Sequence, residues 1–130
     1  MEHSTGHQVV LFKMFCQQLC ETKMGWDDPL SDEFLKKWSQ LLVMLKGAKA
    51  IAIPRCVYCT ISPKTARLIG FCDASAKAYA TVVYVRFEDE DSVDVKFIAA
   101  KPRVTPVLGV TIPRLELLSA LLLSKLLDSV

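Results

Sequence analysis

The chain has 130 residues, 52% of them hydrophobic and 23% charged, a balance that fits one globular domain or a domain with a helical lead-in and disfavours disorder. A formal charge of +2 is too small to mark a nucleic-acid binder, so any such reading must rest on local clusters and on the carboxylates. Five cysteines, an odd number in a chain with no secretory signal, favour free and mostly buried thiols over a disulfide framework.

The first seven residues lack a basic n-region, and Lys13 interrupts the apolar piece at 9–15. This does not read as a signal peptide, and an intracellular chain is expected. Phe12, Phe15, Cys16 and Leu19 then recur at helical spacing and predict an amphipathic helix over 9–20. Gly25-Trp-Asp-Asp28-Pro29 breaks it, and Asp28 with Pro29 is expected to cap and open a second helix over 29–46. Phe34, Leu35, Trp38, Leu41, Leu42 and Leu45 form that helix's apolar stripe, with Asp32 and Glu33 at its positive end.

Pro54 makes the stretch 51–58 extended, and Pro63 turns the chain into Leu68-Ile-Gly-Phe-Cys-Asp73. This apolar strand is expected to be buried and delivers one carboxylate at its rim. A second strand over 78–87 follows a short connection, and a polar turn, Glu88-Asp-Glu-Asp-Ser92, leads to a third over 93–100. Short connections make the three an antiparallel meander. Pro102, Pro106 and Gly109 predict a loop over 101–111, after which Thr111 or Ile112 starts a leucine-rich helix with Pro113 in its first turn. That helix is interrupted by Glu116, Ser119, Ser124 and Lys125 and falls short of the roughly 18 apolar residues of a membrane span.

Asp73 and Glu116 stand out because each is embedded in apolar sequence. A helix laid across the meander is expected to bring them together, and two such carboxylates repel unless a cation lies between them. Mg²⁺, or Mn²⁺ in its place, suits hard oxygen ligands and keeps its remaining positions for water and phosphate. The plainer reading is that Asp73 caps a turn and Glu116 a helix. Lys101, Arg103 and Arg114 are the basic residues nearest this pair and candidates for phosphate contacts, or else ordinary solvated charges. Cys56-Val-Tyr-Cys59 has metal-ligand spacing without a second ligand pair, so plain thiols are favoured over zinc, with His3 and His7 in a tail.

Four ordered motifs carry a resemblance. Gly70-Phe-Cys-Asp-Ala-Ser75, Ala78-Tyr-Ala, Ala99-Ala-Lys101-Pro-Arg103-Val and Thr111-Ile-Pro-Arg-Leu-Glu-Leu117 closely resemble the ribonuclease H-like segment of Bel/Pao-type retrotransposon polyproteins. Gly25-Trp-Asp-Asp-Pro29 and Ile53-Pro-Arg-Cys56 look like the tether that precedes it. The resemblance implies an α+β fold: two helices, then a three-stranded meander with one helix packed on it, as a truncated ribonuclease H-like unit. The expected divisions are a helical tether region at 1–50, an extended linker at 51–66 and a partial ribonuclease H-like domain at 67–130.

It also implies an ancestral hydrolysis of RNA in RNA–DNA hybrids, with Asp73 and Glu116 as the first two catalytic, metal-binding acids. The later acids of the family have no match. Asp128-Ser129 superficially resembles the third motif but falls on the same helix as Glu116 rather than after a new strand. The strand that normally pairs with the first is missing, so an open edge, weak or absent metal binding and little activity alone are expected. Implied partners are the hybrid and the rest of the Pol polyprotein, while the open edge and the apolar helix face by themselves favour self-association. The implied location is the cytoplasm, the nucleus or a virus-like particle. The competing class is a non-enzymatic interaction module. The family segment is also labelled a peptidase, but neither Asp73-Ala-Ser nor Asp128-Ser-Val has the glycine of an aspartic protease turn, so proteolysis ranks last. No Tyr-x-Asp-Asp polymerase motif is present.

Overall fold

The computed structural model describes residues 3–48, Ala52 and residues 65–130. Cys56, Cys59 and Pro63 lie outside the described residues, as does all of the extended stretch 51–58 except Ala52. The chain divides into two compact units, Met1–Ile53 and Pro54–Val130.

The first unit is a pair of helices, α1 (His3–Glu21) and α2 (Asp32–Ala48). Aromatic side chains hold them together. Phe15, buried at 6% exposure, stacks on Trp38 with ring centroids 5.8 Å apart and meets Phe34 edge-on at 5.9 Å, while Phe12 meets Trp38 at 5.9 Å. Leu41 is the other buried residue of this pair among those whose burial is described. Helix α2 starts later than the Asp-Pro signal predicts, because Asp28 is engaged elsewhere. Its carboxylate accepts the Gly25 N–H at 2.7 Å and its own N–H donates to the Gly25 carbonyl, which closes a turn in the connection instead of capping the helix.

The second unit is an antiparallel sheet of three strands in the order β1 (Thr65–Ala74), β2 (Ala78–Glu88), β3 (Val93–Val104), followed by helix α3 (Ile112–Asp128). Helix α3 packs against β1 and β2 and only marginally against β3. On β2 the residues Thr81, Val83 and Val85 are buried, and alternation puts all three on one face of the sheet. Leu115 and Ser119 are the buried residues of α3. The core therefore lies between this face of β2 and one stripe of α3.

Three expectations need correction. Strand β1 is not buried: it sits at the sheet's edge and most of it is exposed. The thiols that are described, Cys16, Cys20 and Cys72, are free but exposed, the first two on α1 and the third on that edge strand. The loop predicted over 101–111 begins only after Val104, because β3 continues through Pro102. A proline lacks the donor a central strand needs, but β3 is the other edge, where one side of the ladder faces no neighbour.

Candidate functional site

Strand β1 ends by presenting Asp73, exposed and opposite Ala80 on β2. The Ala74 N–H donates to Asp73 Oδ1 at 2.8 Å, which fixes one carboxylate oxygen. Ser75 then locks the turn. Its N–H and its Oγ–H both donate to the Ala78 carbonyl, at 2.8 and 2.9 Å, and its Oγ accepts the Ala78 N–H at 3.2 Å. The polar residues of the Asp-Ala-Ser motif thus divide the labour: Ser75 builds the turn and Asp73 keeps an oxygen for other partners. The sequence singled out Asp73 and passed over Ser75, although a serine at a strand-to-strand turn is a local signal for such a bond.

Glu116 lies in the second turn of α3 and is exposed. Its backbone carbonyl accepts the Ser119 Oγ–H at 2.7 Å, so the buried Ser119 hydroxyl is satisfied within the helix. The apolar stripe that packs on the sheet runs through Leu115 and Ser119, which leaves Glu116 beside the interface rather than inside it. Arg114, two residues earlier on the helix, is exposed as well.

Two facts relate these elements. Strand β3 runs parallel to β1, and the Thr105 N–H donates to the Lys77 carbonyl at 3.0 Å, so the loop into α3 leaves the sheet beside the rim that carries Asp73. The second fact concerns faces. A Cβ at Gly70 would meet Leu123 of α3 at 2.6 Å, so Gly70 faces the helix. The β1–β2 register is uninterrupted, and Asp73, three residues on, has the opposite parity.

The basic residues fall on the helix side. Lys101 is opposite Thr81 and Arg103 opposite Tyr79 in the β2–β3 ladder, and the buried Thr81 marks the face that α3 covers. Both are exposed strand residues, not loop residues as the sequence predicts. Lys101, Arg103, Arg114 and Glu116 therefore occur on the side of the sheet that α3 occupies, and Asp73 at the rim points by parity to the other. No group of three or more His, Cys, Asp or Glu side chains able to hold a metal occurs among the described residues. Among them, too, no helix is long and apolar enough to cross a membrane.

No curated protein and no solved structure matches the chain. A family model does, over residues 5–130: the Pao retrotransposon-like RNaseH-like domain. That span takes in both helical and sheet units and all four motifs around Asp73 and Glu116, and the chain belongs to the family of Pao retrotransposon-like RNaseH-like domains.

Proposed function

We propose that this chain is the part of a retrotransposon Pol polyprotein that contributes Asp73 and Glu116 to a ribonuclease H-like site acting on the RNA strand of RNA–DNA hybrids. The family match across residues 5–130 carries this reading. The chemistry of the two acids supports it, since both are exposed and offer the hard oxygen ligands that Mg²⁺ or Mn²⁺ takes while keeping most of its waters. Asp73 and Glu116 would be the residues of this chain that hold such an ion, with β1 turning Asp73 to the face of the sheet away from α3. When bound, such an ion supplies an activated water and a Lewis acid for phosphodiester hydrolysis.

The chain's own residues have simpler tasks. Ser75 fixes the turn that aims Asp73, Ser119 anchors the helical turn that carries Glu116, and Lys101, Arg103 and Arg114 meet substrate phosphates. Two carboxylates hold a cation weakly, so the isolated chain cleaves hybrid little or not at all. The remaining acidic ligands come from elsewhere in the polyprotein. Incubation of the purified chain with a labelled hybrid and Mg²⁺ tests this: at most a trace of cleavage is expected, and vigorous Mg²⁺-dependent cleavage that disappears in Asp73→Asn would overturn it.

A second reading, a non-enzymatic interaction module, draws on the exposure of Phe71 (59%) and Leu68 (48%) on an edge strand. Titration with Mn²⁺ separates the two: a catalytic segment binds it through Asp73 and Glu116, whereas a pure interaction module does not.

A further inference from the structure

Two cysteines of α1 are used by nothing described so far. Cys16 and Cys20 are free, and both are exposed, while Phe15 beside them is buried against α2. Packing is the usual reason for a free cysteine, which behaves as a small buried hydrophobe, and exposure removes that reason here. Four residues apart in the helix, the two side chains lie one above the other on one face.

That spacing selects among the things two thiols can do. A disulfide holds its Cβ atoms about 3.5–4.5 Å apart, but residues four apart on a helix hold theirs about 5–6 Å apart, so the pair closes a disulfide only by unwinding the turn. A metal ion replaces the single S–S bond by two thiolate bonds of about 2.3 Å each, the length seen for Zn²⁺, and spans the gap with the helix intact. Among the described residues no third His, Cys, Asp or Glu joins the pair as a ligand. Zn²⁺ takes four ligands, whereas Cu(I) is soft, favours thiolates and is completed by two of them.

We propose that Cys16 and Cys20 form a two-thiolate site for a soft monovalent ion, Cu(I), which clamps the last turn of α1. Binding breaks two S–H bonds, forms two S–Cu bonds and releases two protons, which leaves the ion-bearing pair with a single net negative charge. The ion enters and stays as Cu(I), so no electron is exchanged. Lys13, exposed one turn before Cys16, and Lys23, exposed just past the end of the helix, supply opposite charge nearby. This site involves neither Asp73 nor Glu116 and stands or falls apart from the ribonuclease reading.

Anaerobic titration of the whole chain with Cu(I), in competition with the chelator bicinchoninate, tests it. The other three cysteines, Cys56, Cys59 and Cys72, are replaced by serine so that the α1 pair is the only source of thiols. One Cu(I) per chain with two sulfur neighbours in X-ray absorption is expected. Cys16→Ser or Cys20→Ser should weaken binding about a hundred-fold or more, because the remaining thiolate then lacks a tethered second ligand. Cys20→Ser combined with Gln18→Cys keeps two thiols but takes them off a common face of the helix, and is not expected to restore binding. No uptake against bicinchoninate, one Cu(I) shared between two chains, undiminished affinity in either serine variant, full recovery with the thiol moved to position 18, or tighter binding of Zn²⁺ than of Cu(I) overturns the proposal.

Discussion

Leu123 of α3 lies so close over Gly70 of β1 that an added Cβ would come within 2.6 Å of its Cδ1. Glycine at this position is a packing requirement and not a matter of backbone freedom, since no glycine has positive φ among the described residues. Gly70→Ala is therefore expected to destabilise the chain by about 1–3 kcal/mol through overpacking, and Gly70→Val by more. Urea unfolding of both variants checks this, and Leu123→Ala in the Gly70→Ala background is expected to recover part of the loss.

Thr81 is only 2% exposed, and its hydroxyl has no hydrogen-bond partner among the described residues. Valine has nearly the same shape without the stranded polar atom. Thr81→Val is expected to raise stability by about 1 kcal/mol. An unchanged or lower denaturation midpoint would indicate that the hydroxyl is satisfied by water.

Acid should act on the helical unit through Glu33. Its carboxyl is held below the usual glutamate range by the hydrogen bond from Lys37 Nζ, 2.8 Å away, and then by that residue's charge. A lowered folded value means that the contribution is complete above the unfolded value and lost as pH falls through the folded one. Glu33→Gln keeps Lys37 over the Phe34 ring, 5.3 Å from its centroid. The gap between wild type and Glu33→Gln is expected to be small, salt-sensitive and closed in acid. Helix content followed by circular dichroism measures it, and a gap that does not depend on pH contradicts the assignment.

If Lys101 and Arg103 meet phosphates from β3, each contact adds affinity without sequence preference. Replacing either with glutamine should weaken hybrid binding and reduce the slope of log affinity against log salt by about 0.7–0.9. Fluorescence anisotropy across a salt series reads both. Loss of affinity with an unchanged slope would assign these side chains to something other than phosphate.

Much of this fold is legible in the residues because its local signals agree. Thr111, Pro113 and the leucine run announce α3, and alternation with polar turns announces the meander. The features that differ from the sequence pattern depend on position in the sheet, which local pattern does not encode. Pro102 reads as a loop until β3 is known to be an edge, and Leu68-Ile-Gly-Phe-Cys reads as a buried strand until β1 is known to be the other. The faces follow the same rule. Asp73 is conspicuous as a lone carboxylate, but its direction is fixed only once Leu123 shows which way Gly70 looks. Ser119 looks like an interruption of the apolar stripe, yet it is buried because its hydroxyl bonds to the helix's own backbone.

Paramagnetic broadening by Mn²⁺ in the amide spectrum of the isotope-labelled chain tests the shared ion most directly. Substoichiometric Mn²⁺ is expected to broaden signals around Asp73 at the end of β1 and around Glu116 in α3 together, and to lose both effects in either Asp73→Asn or Glu116→Gln. Broadening at only one of the two, or broadening that survives both substitutions, would contradict a site built from this pair.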